Sequence, residues 1–345
     1  MSMIKTSNFA QICIILVTAV VAIVYGKSFL IPLIFALILW ILIRKLKTTI
    51  DKVDFIKRAV PNWLKNVLLT FLVSVLGYFI STIISSNITT MVGQYDVYET
   101  NFNSLLVSIN ESTGIDLKTI MVGSDISSTL SGLIEPVVSS LTNILSNAFM
   151  VVLYLLFILM EESNFGEKLK LVFWDSKEYG KVSSTLTELE HSISSYLGVK
   201  TLVSLITGGL SAITLFLIGV DAPVFWGLII FILNYIPTIG SLVGTLFPSV
   251  FCLLQFTDTT PFVLTLVIVG LIQIIIGNIL EPKLVGNSMN LSSLVAILAL
   301  SLWGLIWGTT GMILSVPITV IMVIIFSKFQ STKAIAIMLS DKGRL

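Results

Sequence analysis

The chain has 345 residues, 55% of them hydrophobic and 11% charged, with a mean hydropathy of +1.01; soluble domains carry about 25% charged residues, so this is a polytopic membrane protein. A net charge of +1 supplies no basic field for nucleic acid. Cys13 and Cys252 lie in separate apolar runs and His191 is the only histidine, which argues against a disulfide framework, a metal site and most nucleophilic hydrolase chemistry.

Phe9 to Tyr25 is an apolar run that on its own resembles a signal-peptide core. A second run, Ser28 to Ile43, follows after only Gly26 and Lys27 with no small-x-small cleavage site, so both are expected to be retained spans. Pro32 is expected in the first turn of the second helix, where its missing amide does least harm. Arg44, Lys45, Lys47, Lys52, Lys57 and Arg58 then stand against Asp51 and Asp54. By the positive-inside rule this loop is cytoplasmic, and so is the N-terminus. Trp63 anchors a third span to about Ile84, giving a first unit over residues 1–84.

Residues 85–134 shift to Ser, Thr and Asn, with Asp96, Glu99, Glu111, Asp116 and Asp125 against Lys118. That polarity predicts an extracellular domain. Tyr98, Phe102, Leu105, Leu106 and Ile109 recur at helical spacing, as do Ile126, Leu130, Leu133, Val137 and Leu141, so the domain is expected to be helical. A fourth span occupies 135–160, and 161–200 is a cytoplasmic amphipathic region. There Val182, Leu186, Leu189, Ile193 and Leu197 form one apolar stripe opposite Glu188, Glu190 and His191, suited to the membrane surface or a neighbouring subunit.

The transport core is expected over 201–327. Its first span, Thr201 to Ile218, carries Ser204, Gly208, Gly209 and Ser211, small residues that allow tight helix contact. Ala222 to Phe256 follows, 35 residues that as one helix would reach roughly 50 Å, against a hydrocarbon core of roughly 30 Å. Pro237 removes an amide and biases Ile236 away from helix, while Gly240 and Gly244 tolerate unwound backbone. Such a break is tolerated only in protein or against a wet cavity, where its free backbone groups, with Asn234 and Tyr235, can build a site. A span from Phe262 to Ile276 carries Gln273, then come Asn278, Glu281, Pro282, Lys283 and Gly286. The last tract, Leu291 to Phe326, is again long and is punctuated by Gly304, Gly308, Gly311 and Pro317. Residues 328–345 form a basic cytoplasmic tail. With both termini inside, two topologies fit. One has eight crossings with two kinked helices; the other has six crossings and two re-entrant hairpins with tips near Pro237 to Gly240 and Gly308 to Gly311.

Several of these motifs resemble the autoinducer-2 exporter family, also described as PerM-like permeases. They are Asn234-Tyr-Ile-Pro-Thr-Ile-Gly240 with Pro248 downstream, Asn278-Ile-Leu-Glu-Pro-Lys-Leu-Val-Gly286, Asn290-Leu-Ser-Ser-Leu-Val, the glycines Gly304, Gly308 and Gly311, and Ser315-Val-Pro317. Tyr196-Leu-Gly-Val-Lys200 resembles the family's tyrosine-glycine lead into the fifth span. The resemblance runs over Tyr196 to Phe326, and over the first half by layout. It implies an all-α fold of about eight membrane segments, two of them interrupted or re-entrant, homo-oligomers with pentamers among them, and export of small molecules. Some relatives resemble sodium or lithium/proton antiporters. Lys283 stands where arginine is also familiar, and Asn290 and Ser292 where glycine and histidine are common, so the resemblance does not fix the substrate.

The residues expected along a substrate or ion pathway are Asn234, Tyr235, Pro237, Gly240, Gln273, Asn278, Glu281, Pro282, Lys283 and Gly286, with Gly244, Gly304, Gly308, Gly311 and Pro317 as hinges or packing positions. Glu281 has two readings: a solvated loop carboxylate beside Lys283, or a buried group that exchanges a proton or cation. Asp221 and Asp258 are the next acidic candidates. Asn234 and Tyr235 either cap the backbone freed by Pro237 or touch a ligand, and Gln273 either bonds a neighbouring helix or does the same.

A secondary transporter of a small molecule or cation is the expected function, an exporter of a signalling-type solute coupled to a proton or cation gradient. No phosphate-cradling Gly-Lys-Ser/Thr loop accompanies it, and no HExxH or Ser-His arrangement supports an enzyme. No cofactor is expected. A non-transporting membrane scaffold is the competing class.

Overall fold

The computed structural model describes residues 2–52, 60–113, 148–173, 176–285, 291–341 and 343. The expected Ile126 to Leu141 stripe, the start of the fourth span, Lys57, Arg58, Gly286 and Asn290 lie outside the described residues. Among the described residues every regular element is helical: α1 (Ser2–Tyr25), α2 (Lys27–Ile50), α3 (Asn62–Gly93), α4 (Tyr95–Thr113), α5 (Ala148–Val172), α6 (Ser176–Ile218), α7 (Pro223–Leu233), α8 (Ile239–Gln255), α9 (Thr260–Ile275), a π turn (Ile276–Leu280), α10 (Glu281–Val285), α11 (Ser293–Lys328) and α12 (Lys333–Leu339). Five of the described helices are long and apolar enough to cross a bilayer, or six counting the two parts of α5, which bend by 65° around residue 163. The protein is an all-α, multi-pass membrane protein.

Three local expectations change. α2 begins at Lys27 because the Gly26 carbonyl already accepts from Phe29 and Leu30, so Pro32 sits in the second turn and not the first. α3 runs past Ile84 to Gly93, and the polar residues beyond satisfy their side chains on the preceding turn. Asn87 Nδ2 donates to Ile83 O at 2.7 Å and Thr89 Oγ1 to Ser85 O at 2.9 Å. The stripe from Val182 to Leu197 is not a separate surface helix. It is the first part of the 43-residue α6, and Leu189, Ile193, Tyr196 and Leu197 pack on Ile41 of α2 and on Val316, Val320 and Ile324 of α11.

Charged groups join the helices at one end of the bundle. Arg44 bonds Glu162 at 3.2 Å and Glu190 at 2.9 Å; Trp40 Nε1 donates to Glu162 at 3.0 Å, with the guanidinium 5.2 Å from the Trp40 ring. Lys328 pairs with Glu188 at 2.5 Å. At the opposite end, neutral groups and one acid tie α4 to the α6–α7 link. Tyr98 OH lies 3.1 Å from Asp221 Oδ2, and Asn101 Nδ2 donates to Gln255 O at 2.7 Å. Tyr98, Leu105 and Leu106 are buried on the expected face of α4.

Both long tracts fold back on themselves. In the first, the rings of Trp226 and Phe251 are 5.2 Å apart. A methyl built on Gly244 would lie 3.4 Å from Ile230 Cγ1, and one on Gly240 would lie 1.8 Å from Leu233 O. Pairs 226/251, 230/244 and 233/240 are the register of two antiparallel helices. The base is closed by Asp221 N–H donating to Gln255 Oε1 at 2.7 Å and Gln255 Nε2 to Gly219 O at 2.9 Å. In the second tract, α11 breaks at Gly308 (φ 64°, ψ −147°), a conformation that favours glycine. A methyl on Gly311 would lie 1.9 Å from Trp303 O, and one on Gly304 2.9 Å from Met312 Cε. The limbs 293–307 and 309–328 therefore lie side by side. Ser292 N–H donates to Leu339 O at 3.2 Å at the base, and Trp307 Nε1 to Ile23 O at 3.0 Å near the tip. The hairpins are rooted at opposite ends, the first near Tyr98 and the second near Lys328. Of the two forms expected for the long tracts, kinked helix or hairpin, the described residues form hairpins. Between α6 and α7, Gly208 and Gly227 face one another so closely that a methyl on either would fall 2.5 or 2.7 Å from the other's carbonyl.

Candidate functional site

A cavity of about 740 Å³ lies between α6, the tip of the first hairpin, α9 with its π turn, and the base of the second hairpin. α6 lines it with Tyr196 and Lys200, the latter at the start of a polar face that runs on along the helix. Lys200, Ser204, Thr207 and Ser211 are all buried, and their spacing of four, three and four keeps them on one side of the helix. Thr207 satisfies itself on Val203 O at 2.8 Å.

The tip of the first hairpin is a chain of tight turns. Tyr235 N–H donates to Ile232 O at 3.2 Å and Ile236 N–H to Leu233 O at 2.8 Å. Ile239 N–H then reaches Pro237 O at 2.6 Å across Thr238, which holds φ 61° and ψ −56°. This is the positive-φ γ-turn, rare and strained for a residue with a side chain. The backbone is thus closed by its own turns, which leaves the Asn234 and Tyr235 side chains for α6. Asn234 Nδ2 donates to Ser204 Oγ at 3.0 Å, and Tyr235 OH lies 2.7 Å from Thr201 Oγ1.

α9 supplies Gln273, which is 6% exposed and whose Nε2 has no hydrogen-bond partner among the described residues. The bond to a neighbouring helix expected of it is not made by that nitrogen, which instead stands 3.2 Å from a methyl position on Gly244. The helix then widens. Glu281 N–H bonds Ile276 O, five residues back, so the π turn inserts an extra residue and brings Asn278 and Glu281 to the same cavity as Gln273.

Glu281 is the acid of the site, and its partner is Lys200, not the neighbouring Lys283. Lys200 Nζ lies 2.5 Å from Glu281 Oε1, with side chains 6% and 19% exposed. The pair is half-enclosed by Tyr196, buried beside Glu281 and Tyr235. Lys283 and Pro282 are exposed and do not line the cavity. Asn234, Pro237, Gln273, Asn278 and Glu281 line it, as do Thr238, Ser241, Thr245, Tyr196 and Lys200, which the sequence reading had not assigned. Gly240 closes the tip, Gly304, Gly308 and Gly311 form the inner side and tip of the second hairpin, and Pro317 is buried next to Val316, a lining residue. Asp221 and Asp258 are elsewhere. Asp221 is bound at the hairpin base, where together with burial it pushes the Tyr98 hydroxyl well above the usual tyrosine range, burial being the larger cause. Asp258 is exposed at the start of α9, and hydrogen bonds from Thr260 hold its carboxyl below the usual range.

A cavity among apolar helices, holding a buried ion pair and the amide of Gln273 at the meeting of two oppositely rooted hairpins, fits the architecture of a membrane transporter. The chain matches the family of AI-2E family transporters over residues 12–331 and belongs to it. It is 31% identical over 293 residues to a Haemophilus influenzae protein provisionally named a transport protein, covering 83% of this chain and 84% of that one. It is 34% identical over 212 residues to the AI-2 transport protein TqsA of Escherichia coli K12, covering 61% of this chain and 60% of TqsA. A Borreliella burgdorferi protein, also provisionally named for transport, is 32% identical over 262 residues, 73% of this chain and 70% of its own.

Proposed function

We propose that this protein is a secondary exporter of a small polar solute, a permease without a chemical step, and that Glu281 couples movement to a proton gradient. The observation that carries the reading is the Lys200–Glu281 pair, 2.5 Å apart and largely buried, in the cavity between the hairpins. A carboxylate kept out of water beside one ammonium can change its protonation only together with its surroundings, which is what a coupling site requires. The name of TqsA makes autoinducer-2 the first solute to try.

The test is flux into proteoliposomes. Wild type should accumulate the solute against its gradient when a pH difference is imposed. Glu281→Gln keeps size and hydrogen bonding but holds no exchangeable charge, so it should assemble normally, lose gradient-driven flux and retain at most pH-independent exchange. Full, pH-dependent flux through Glu281→Gln would remove Glu281 from coupling.

We also propose that the Arg44 end is cytoplasmic, which puts both termini inside. Single cysteines at Lys47 and Lys170 should resist an impermeant thiol reagent in intact cells, and one at Asp116 should react. Labelling at position 47 from outside would invert the assignment.

A further inference from the structure

We propose that the cavity takes a small organic monoanion, a monocarboxylate of a few carbons, and that Glu281 hands Lys200 over to it by accepting a proton from solvent. Proton and anion then occupy the site together and move in the same direction, so export runs down the anion's own gradient and carries a proton out with it. The inference rests on the reading of this cavity as the transport site and goes beyond it in naming the substrate class.

The unfilled hydrogen-bonding capacity of the cavity is donor in character. Gln273 lines the cavity, and its Nε2 is buried with no partner among the described residues. Two helices begin at the cavity wall. The first turn of α8 contributes Thr238, Ile239 and Ser241, and the base of α11 contributes Ser293. The Ile239 and Gly240 amides of α8 are taken by Pro237 O and Ile236 O, so α8 brings only the positive end of its dipole, and the start of α11 brings its own. Lys200 adds a full positive charge. A cation in this space would meet the ammonium and both positive helix ends; an anion meets all three favourably.

Charge accounting then sets the stoichiometry. Among the described residues, the titratable groups facing Glu281 are Lys200 and Tyr196 from α6, with Tyr235 of the hairpin tip beside Tyr196. The residues brought by α8 and α11 carry no charge. With Glu281 ionised the pair is neutral and Lys200 is occupied. When Glu281 takes a proton, an ammonium only 6% exposed is left without a counter-charge, a costly state. A monocarboxylate restores neutrality by replacing the Glu281 carboxylate on Lys200, while Gln273 holds its second oxygen. A dianion would overcompensate the single lysine, and a neutral solute would leave it bare.

The test uses the full-length protein in lipid nanodiscs, titrated calorimetrically with L-lactate, pyruvate and gluconate in buffers of different ionisation enthalpy. At least one should bind with uptake of about one proton per anion, by linkage. Lys200→Met should weaken binding ~30-fold or more and Gln273→Leu ~10-fold, whereas Lys200→Arg should keep it. Glu281→Gln should bind the anion without taking up a proton. Binding of none of the three, binding without proton uptake in wild type, or preference for phosphate or erythritol would each overturn the proposal. Proteoliposome flux separates its failure from that of the site. Proton-coupled movement of a neutral solute that Glu281→Gln abolishes refutes the anion and keeps the site. Carboxylate flux indifferent to both Lys200→Met and Glu281→Gln refutes the site.

Discussion

Lys200→Met keeps the length and apolar stem of the side chain and deletes only the ammonium 2.5 Å from Glu281. With side chains 6% and 19% exposed, little water replaces it. Breaking a pair buried in this way costs ~3–5 kcal/mol. The abandoned carboxylate can escape that cost by taking a proton. For a glutamate whose free-chain value is about 4.3, protonation costs ~3.7 kcal/mol at pH 7 and ~1 kcal/mol at pH 5. The loss of stability in Lys200→Met is therefore capped near the first figure at pH 7 and falls towards the second at pH 5. In the variant the folded state holds a proton that the unfolded chain has released, so stability declines as pH rises. Unfolding in mixed micelles with increasing dodecyl sulfate, followed by tryptophan fluorescence at pH 5, 6 and 7, measures it. Lys200→Met/Glu281→Gln should regain most of the loss at pH 7, because neither charge is then left alone. A penalty that does not change between pH 5 and 7, or a double variant as unstable as the sum of the singles, would refute the claim that the pair is a buried, mutually dependent unit.

Gly240→Ala and Gly311→Ala each place a methyl under 2 Å from a carbonyl oxygen of the opposite limb, so the limbs must part by more than an ångström, at ~1–3 kcal/mol or more each. Gly209→Ala, with open space around it, should be neutral or stabilising by ~1 kcal/mol in the same unfolding assay, and equal effects at all three sites would contradict the hairpins. The Tyr98 hydroxyl should stay protonated above the range of exposed tyrosines in an ultraviolet titration, because burial and Asp221 raise it. The stability that this adds is present below the ordinary tyrosine value and is lost as pH climbs through the raised one; titration of all tyrosines together would refute it.

The membrane class and the interruptions were legible because Pro237, Gly240, Gly308 and Gly311 sit inside tracts too long for one span, and Asn234, Pro237, Gln273, Asn278 and Glu281 of the cavity lining were named in or beside those tracts. Whether such a tract kinks or folds back was not legible, since both use the same local residues. The decision is made by contacts between distant positions, Trp226 with Phe251 and Leu233 with Gly240. Lys200 was passed over for a related reason. A lysine at the start of an apolar run is ordinarily a flank whose head reaches the interface, and the core was begun one residue later. The available signal was the recurrence of Ser204, Thr207 and Ser211 on its face, which continues a polar stripe into the membrane. Lys283 was the lysine weighed beside Glu281 because of its nearness in sequence. The π turn has no residue signature and it sets which side of the helix Glu281 faces.

The hairpins also bear on how the protein is made. α7 has 11 residues and α8 has 17, roughly 16 and 25 Å of helix, so neither reaches across a hydrocarbon core of roughly 30 Å. Threaded one at a time during synthesis, they cannot act as stops. The hairpin finds its place only against α6 and the continuous stretch from α9 through α10, where Asn234 meets Ser204. Insertion and folding are in this way separate events. A chain arrested between them leaves Lys200, Gln273 and Glu281 facing lipid, the kind of exposed polar surface by which membrane quality control recognises unfinished proteins.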